Sequence, residues 1–271
     1  LQAMLVPTTG LVPPARFNHV ALVLTIASTE SMLVLGGEDE NGLLYNDLYS
    51  LDLDKHVWTQ FDTVSLPART QHSAVNAVLQ TSSPYQAQLT DVTSLVVVFG
   101  GKNAAGLLVD DIFLLKVMPR FIENTQGSPI VSGDAPSARG GSVMVWDSDT
   151  GFLTGGINVS DTAVYSFAIT FEGPQYYIHW KMLNATFISP HPLVNAPLLF
   201  QNRWYHVTEP IQDPAAANSS NAHVHALEVS SNEVHWLTTL RLPDVIMDRH
   251  YALAEICHGR AFIFSSNLAN C

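Results

Sequence analysis

The feature that most constrains this chain is a pair of glycines that recurs at the end of apolar, β-rich runs. Three such runs occur: Met32-Leu-Val-Leu-Gly36-Gly37, Leu95-Val-Val-Val-Phe-Gly100-Gly101 and Gly151-Phe-Leu-Thr-Gly155-Gly156. Gly100 lies 64 residues after Gly36, and Gly155 lies 55 after Gly100. A period of that length marks one supersecondary unit used repeatedly, each copy burying its faces against the next. Glycine after a strand supplies positive φ and admits a neighbouring backbone where a Cβ would clash. A further pair, Gly140-Gly141, follows Arg139 instead of an apolar run and stands outside the pattern.

Other signals keep the same register. Upstream lie Pro14-Ala-Arg16, Pro67-Ala-Arg69 and Pro136-Ser-Ala-Arg139. His19 and His72 follow the first two arginines by three residues. Downstream of the first glycines come Tyr45-Asn-Asp47-Leu-Tyr49, a turn, and Val57-Trp58. The unit reads as four antiparallel strands, an inner strand, a strand ending in Gly-Gly, a hairpin strand and a tryptophan strand; the second unit has no tryptophan in its fourth strand and the fourth unit has no Gly-Gly. Tyr49, Trp58, Tyr165, Trp180 and Trp236 are the large residues that fill wedges between units.

The combination of Gly-Gly, Arg-x-x-His and Asn-Asp-x-Tyr before a tryptophan resembles the kelch repeat. That family belongs with the galactose-oxidase-like propellers, and the resemblance covers most of the chain. It implies an all-β, kelch-type β-propeller built of four-stranded antiparallel blades. Radial packing of such blades hides most sheet edges. The units fall at about 11–62, 63–120, 133–186, 190–241 and 242–271. Residues 1–10 are expected to supply a strand that closes the last blade. This makes one domain of about five blades, in a ring of that number or one of six or seven. Leu1 at the start and a last unit of two strands are expected of a piece of a longer protein.

Composition narrows the function. Charged residues are 13% of the chain, about half the usual quarter. Hydrophobic residues are 47%, which rules against disorder. The net charge of −12 and the lack of a Lys/Arg cluster argue against nucleic acid and anionic membrane surfaces as partners. The run Val20–Leu35 is interrupted by polar residues and is not a transmembrane span.

The resemblance implies a non-enzymatic scaffold that binds a protein partner through loops around the central channel. The alternative is a carbohydrate-binding or carbohydrate-modifying propeller, oxidase- or epimerase-like, which Trp146, Trp204 and Tyr205 would support if exposed at one loop face; the favoured reading of these aromatics is blade packing. Candidate ligand contacts at the mouth are Asn18, Gln71, Arg249 and His250, with the repeat arginines Arg16, Arg69 and Arg139. The arginines have a structural reading as well, as donors to carbonyls of neighbouring loops. Asn18 and Gln71 are not basic, so the chain departs from the kelch proteins that grip acidic peptides with arginines.

No cofactor is expected. The one metal alternative is His223-x-His225, which share a strand face, with His235 brought alongside by the Ser230–Asn232 turn. Trp236 and the apolar alternation explain that hairpin without metal. A copper-radical site needs more than Tyr251 and Cys257. An iron signature beginning Glu209-Pro-Ile-Gln-Asp213 fails at Ala217. Cys257 and Cys271 are either one disulfide or two free thiols. Sequons at Asn158, Asn184 and Asn218 fall in expected loops or just past a strand. With scarce lysine they favour a secreted glycoprotein over a cytoplasmic scaffold.

Overall fold

The computed structural model describes residues 6–26, 28–61, 66–77, 94–118, 122–125, 128–147, 149–157, 163–172 and 175–185. Beyond these it describes the backbone of strands within 198–266. The architecture is all-β; among the described residues there is no helix.

The first sheet holds β1 (Thr9–Gly10), β2 (Val20–Ile26), β3 (Thr29–Leu35), β4 (Leu48–Asp52) and β5 (Val57–Phe61), ordered β1-β5-β4-β3-β2. In chain order there follow β6 (Arg69–Thr70), β7 (Ser73–Ala77), β8 (Ser94–Phe99), β9 (Lys102–Asn103), β10 (Ile112–Val117) and β11 (Ile122–Asn124). Of these, β11-β10-β8-β7 form the second sheet, while β6 and β9 pair as a short ribbon. The third sheet contains β12 (Ile130–Gly133), β13 (Val143–Asp147), β14 (Thr150–Thr154), β15 (Val164–Glu172) and β16 (Gln175–Ala185). Within each sheet β2–β5, β7-β8-β10-β11 and β13–β16 run as antiparallel meanders, and β1 and β12 add to the first and third as parallel edge strands.

Strand alternation divides the core. On β8, Val96 and Val98 join Leu24, Leu33, Leu35 and Leu48 of the first sheet. The intervening Leu95, Val97 and Phe99 join Met144, Leu153, Phe167, Ile178 and Trp180 of the third. The second sheet is therefore buried on both faces, and its strands read as continuous apolar runs. Trp180 is fully buried and meets Phe99 and Phe167 at ring distances of 5.7 and 4.6 Å.

Of the segment expected to close a last blade, residues 1–5 lie outside the described residues and Thr9–Gly10 form β1. Gly10 pairs with Trp58 in parallel, at the outer edge of the first sheet. Gly133 repeats this against Trp180 in the third. The amides of Leu11 and Asp134 donate to the Trp58 and Trp180 carbonyls at 3.1 and 3.0 Å. A Cβ on Gly10 or Gly133 would lie 2.2 or 2.0 Å from those carbonyl oxygens, so only glycine fits. Gly10 and Gly133 each stand six residues before a repeat arginine, a signal the glycine-pair pattern did not capture.

Later strands are β17 (Leu198–Phe200), β18 (Arg203–Gln212), β19 (Ser220–Val229) and β20 (Glu233–Arg241), followed by the hairpin β21 (Tyr251–Cys257) and β22 (Arg260–Ser266). β20 pairs in parallel with β16 at Asn184 and Ala185, so the third and fourth meanders share one continuous sheet.

Candidate functional site

The turns that leave the Gly-Gly pairs and the turns that enter the inner strands meet at one end of the sheets. Each repeat arginine is held there within its own unit. The Arg16 guanidinium donates to the Gly36 carbonyl at 3.0 Å and makes a two-pronged ion pair with Asp47. Arg69 does the same with the Gly100 carbonyl at 2.9 Å and Asp111 at 2.8 and 3.0 Å. Arg139 donates to the Gly155 carbonyl at 3.2 Å and to Ser137 Oγ at 3.1 Å. Ala163 occupies the position of the aspartate in the third unit, two residues before Tyr165, as Asp47 precedes Tyr49 and Asp111 precedes Phe113.

An aromatic ring backs each clamp. Arg16 lies 4.1 Å from the Tyr45 ring centre and 5.4 Å from Tyr49; Arg69 lies 4.6 Å from Phe113 and Arg139 5.2 Å from Tyr165. Arg69 and Arg139 are buried. The sequence reading offered the arginines either to a ligand or to neighbouring loops. Within its own unit, each satisfies a carbonyl left open by the glycine turn, that of Gly36, Gly100 or Gly155.

Neighbouring units are joined by backbone. The Gly37 amide donates to the Arg69 carbonyl at 2.9 Å, and the Gly101 amide to the Arg139 carbonyl at 2.9 Å. Gly36, at φ +59°, leaves room for the ring of His72, which a Cβ would approach to 2.8 Å. His72 is buried, and neither ring nitrogen has a hydrogen-bond partner. Burial first, then Arg69 and His19, pushes its pKa down to about 3; the nearby Leu35 carbonyl opposes this without hydrogen-bond geometry. His19 is also lowered, by partial burial and then by Arg16.

Two residues after each arginine the chain turns left-handed. Asn18, Gln71 and Gly141 have φ of 52°, 56° and 64°. They are linked in series: the Gln71 amide donates to the Asn18 carbonyl at 3.0 Å, and the Gly141 amide to the Gln71 carbonyl at 2.7 Å. Asn18 and Gln71, two of the candidate ligand contacts, are thus brought together. Gly141, set aside in the sequence, is the third member; counting from the arginine rather than from the apolar run finds it. Glu38 was also missed. It directly follows a Gly-Gly pair, and its Oε1 accepts from Asn18 Nδ2 and from Thr70 Oγ1, both at 3.0 Å, tying two units together. Gln71 Oε1 is a buried acceptor with no hydrogen-bond partner.

Other expected residues fall elsewhere. Trp146 packs on Phe167 at 5.8 Å, at the edge of the core. Trp204 and Tyr205 lie in β18, and Trp236 lies in β20 opposite Leu227. The β19–β20 register sets His235 opposite Glu228, whereas His223 faces Arg241 and His225 faces Thr239. The hairpin turn thus does not bring His235 alongside the other two, because they lie several rungs further from it. His206 of β18 is the histidine that pairs with His225. Among the described residues no group of three or more His, Cys, Asp or Glu is placed to hold a metal. Asn184 lies inside β16 rather than past a strand. Cys257 ends β21, opposite Arg260. Arg249, His250, Asn158, Asn218 and Cys271 lie outside the described residues.

No family model matches the chain. Two curated proteins of Arabidopsis thaliana are similar to part of it. Acyl-CoA-binding domain-containing protein 5 is 28% identical over 130 residues, and acyl-CoA-binding domain-containing protein 4 is 27% identical over 129. Each match covers 47% of this chain, and spans only 17% and 16% of those longer proteins. The solved structure of YjhT, a kelch-like protein of β-propeller type, is similar in fold, with a TM-score of 0.55 and 11% identity. The likeness covers 84% of this chain and 71% of that one. The all-β architecture fits a propeller fold.

Proposed function

We propose that the chain is a kelch-type β-propeller that performs no chemistry of its own and binds a protein partner through the loops around its central channel. The observation that carries this reading is the serial link from Asn18 to Gln71 to Gly141. Three consecutive sheets contribute to it in the same register, as blades set around an axis would. The inner strands β2, β7 and β13 lie beside one another in that order. A rim locked by backbone hydrogen bonds is a preformed surface, and such a surface loses little freedom on binding. In this reading the hairpin β21–β22 begins a fifth blade.

A photo-crosslinking residue placed at Asn18 or Gln71 of the full chain in its own host tests the reading. It is expected to capture an identified protein that the same residue at Lys55, in the turn between β4 and β5, does not. Equal capture from both positions, or none, overturns it. The secreted, glycosylated state is proposed on the sequons alone. Release of N-glycans from native material is expected to lower its mass, and an unchanged mass sinks that part.

A further inference from the structure

Two loops beside the rim carry the same device. In the first, Asp39 Oδ1 accepts from the amides of Asn41 at 2.9 Å and Leu43 at 2.8 Å. The Gly42 amide donates to the Asp39 carbonyl, and the Asp39 amide to the Leu43 carbonyl, both at 3.1 Å. In the second, Asn103 Oδ1 accepts from Ala105 at 3.0 Å and Leu107 at 3.1 Å. Gly106 and Leu107 complete that hairpin with Asn103, both bonds at 2.9 Å. Gly42 and Gly106 take the same left-handed turn, at φ 80° and 77°.

Each locked tip holds one leucine out. Leu43 is 61% exposed and Leu107 63%, while the next residue of each loop, Leu44 or Leu108, is half-buried. One exposed leucine is ordinary. Two at matched positions of adjoining units, on loops already ordered by their own hydrogen bonds, have the properties of binding anchors. Phe17, 50% exposed, pairs with Glu38, which pairs in turn with Leu44.

The charge around these tips is one-sided. The first loop carries Glu38, Asp39 and Glu40, and the second carries Asp110. Arg16 and Arg69 are engaged by Asp47 and Asp111, which leaves Lys102 as the exposed base of the two loops. Opposite charge on a partner therefore meets an acidic frame around apolar anchors.

We propose that Leu43 and Leu107, with Phe17, form a docking surface for a protein segment that carries apolar side chains among lysines or arginines. This rests on the protein-binding reading and adds the chemistry of the partner. The test pans a phage-displayed library of short random peptides on the full chain. Enriched peptides are expected to combine apolar residues with Lys or Arg and to bind less well as salt rises. The Leu43→Asp/Leu107→Asp variant is expected to lose at least about tenfold in affinity for them. Both side chains are exposed, so its circular dichroism and urea midpoint should match the parent, and Leu43→Ser/Leu107→Ser serves if they do not. Acidic consensus peptides, or affinity kept within about twofold in both variants, overturn this proposal and leave protein binding standing. A parent chain that is dimeric and becomes monomeric in the variants assigns the surface to a second copy and also overturns it. Failure to enrich any peptide counts against both readings.

Discussion

At the residue scale, glycine acts here through what its absent Cβ permits. Gly100 sits at φ +64°, and an added Cβ would stand 2.7 Å from the Arg139 carbonyl oxygen. Gly100→Ala is therefore expected to lower stability by more than about 1 kcal/mol, read as a shift in the urea midpoint. His72 makes a second, pH-dependent statement. Its folded pKa of about 3 lies below the ordinary value of 6.5, so folding favours the neutral ring. That contribution is complete above pH 6.5 and is lost as pH falls towards 3, at up to about 1.4 kcal/mol per pH unit. His72→Gln is expected to flatten the decline of stability across that window. An unchanged slope would show that other groups control it. The glycine pairs were legible because the chain repeats them. The burial of His72 was not, since the Gly36 turn that covers it belongs to the preceding unit.

At the element scale, the arginine clamp shows how a turn is held without secondary structure. Arg69 satisfies the Gly100 carbonyl inside the fold, while Asp111 is partly exposed and its side of the ion pair is screened. Asp111→Asn is expected to cost no more than about 1 kcal/mol. Arg69→Met leaves the buried Gly100 carbonyl unpaired and is expected to cost about 1–3 kcal/mol. Urea denaturation of the two variants gives the order; equal losses would contradict it. The arginine register could be read from sequence, yet its bonding partners could not. Gly-Gly and the aspartate lie 16 to 42 residues away along the chain and come into reach only when the strands pair. The same limit applies to β1, whose parallel pairing with the tryptophan strand depends on a long-range contact that local pattern does not encode.

At the scale of the whole molecule, burial of both faces of the second sheet explains the scarcity of charge. Strands packed on two sides have few positions where a charge stays solvated. Trp180 joins the second and third sheets, touching Phe99 across the boundary. Trp180→Ala is expected to cost about 3–5 kcal/mol and to unfold both sheets together. Separate transitions for the two, followed by near-ultraviolet circular dichroism and by hydrogen exchange, would show that they do not share a core.

The sequence by itself determined the all-β class, the repeating unit, and the positions of the glycines and arginines. These depend on local conformational demands: strand alternation, positive φ and a carbonyl that needs a donor. Only the tertiary structure decided that the arginines serve their own units, that Gly10 and Gly133 lie against tryptophan carbonyls, and that Asn18, Gln71 and Gly141 join in one rim. Each of those depends on which strands become neighbours. That choice is made by burial of faces across sheets, a contact between distant residues that no single segment specifies.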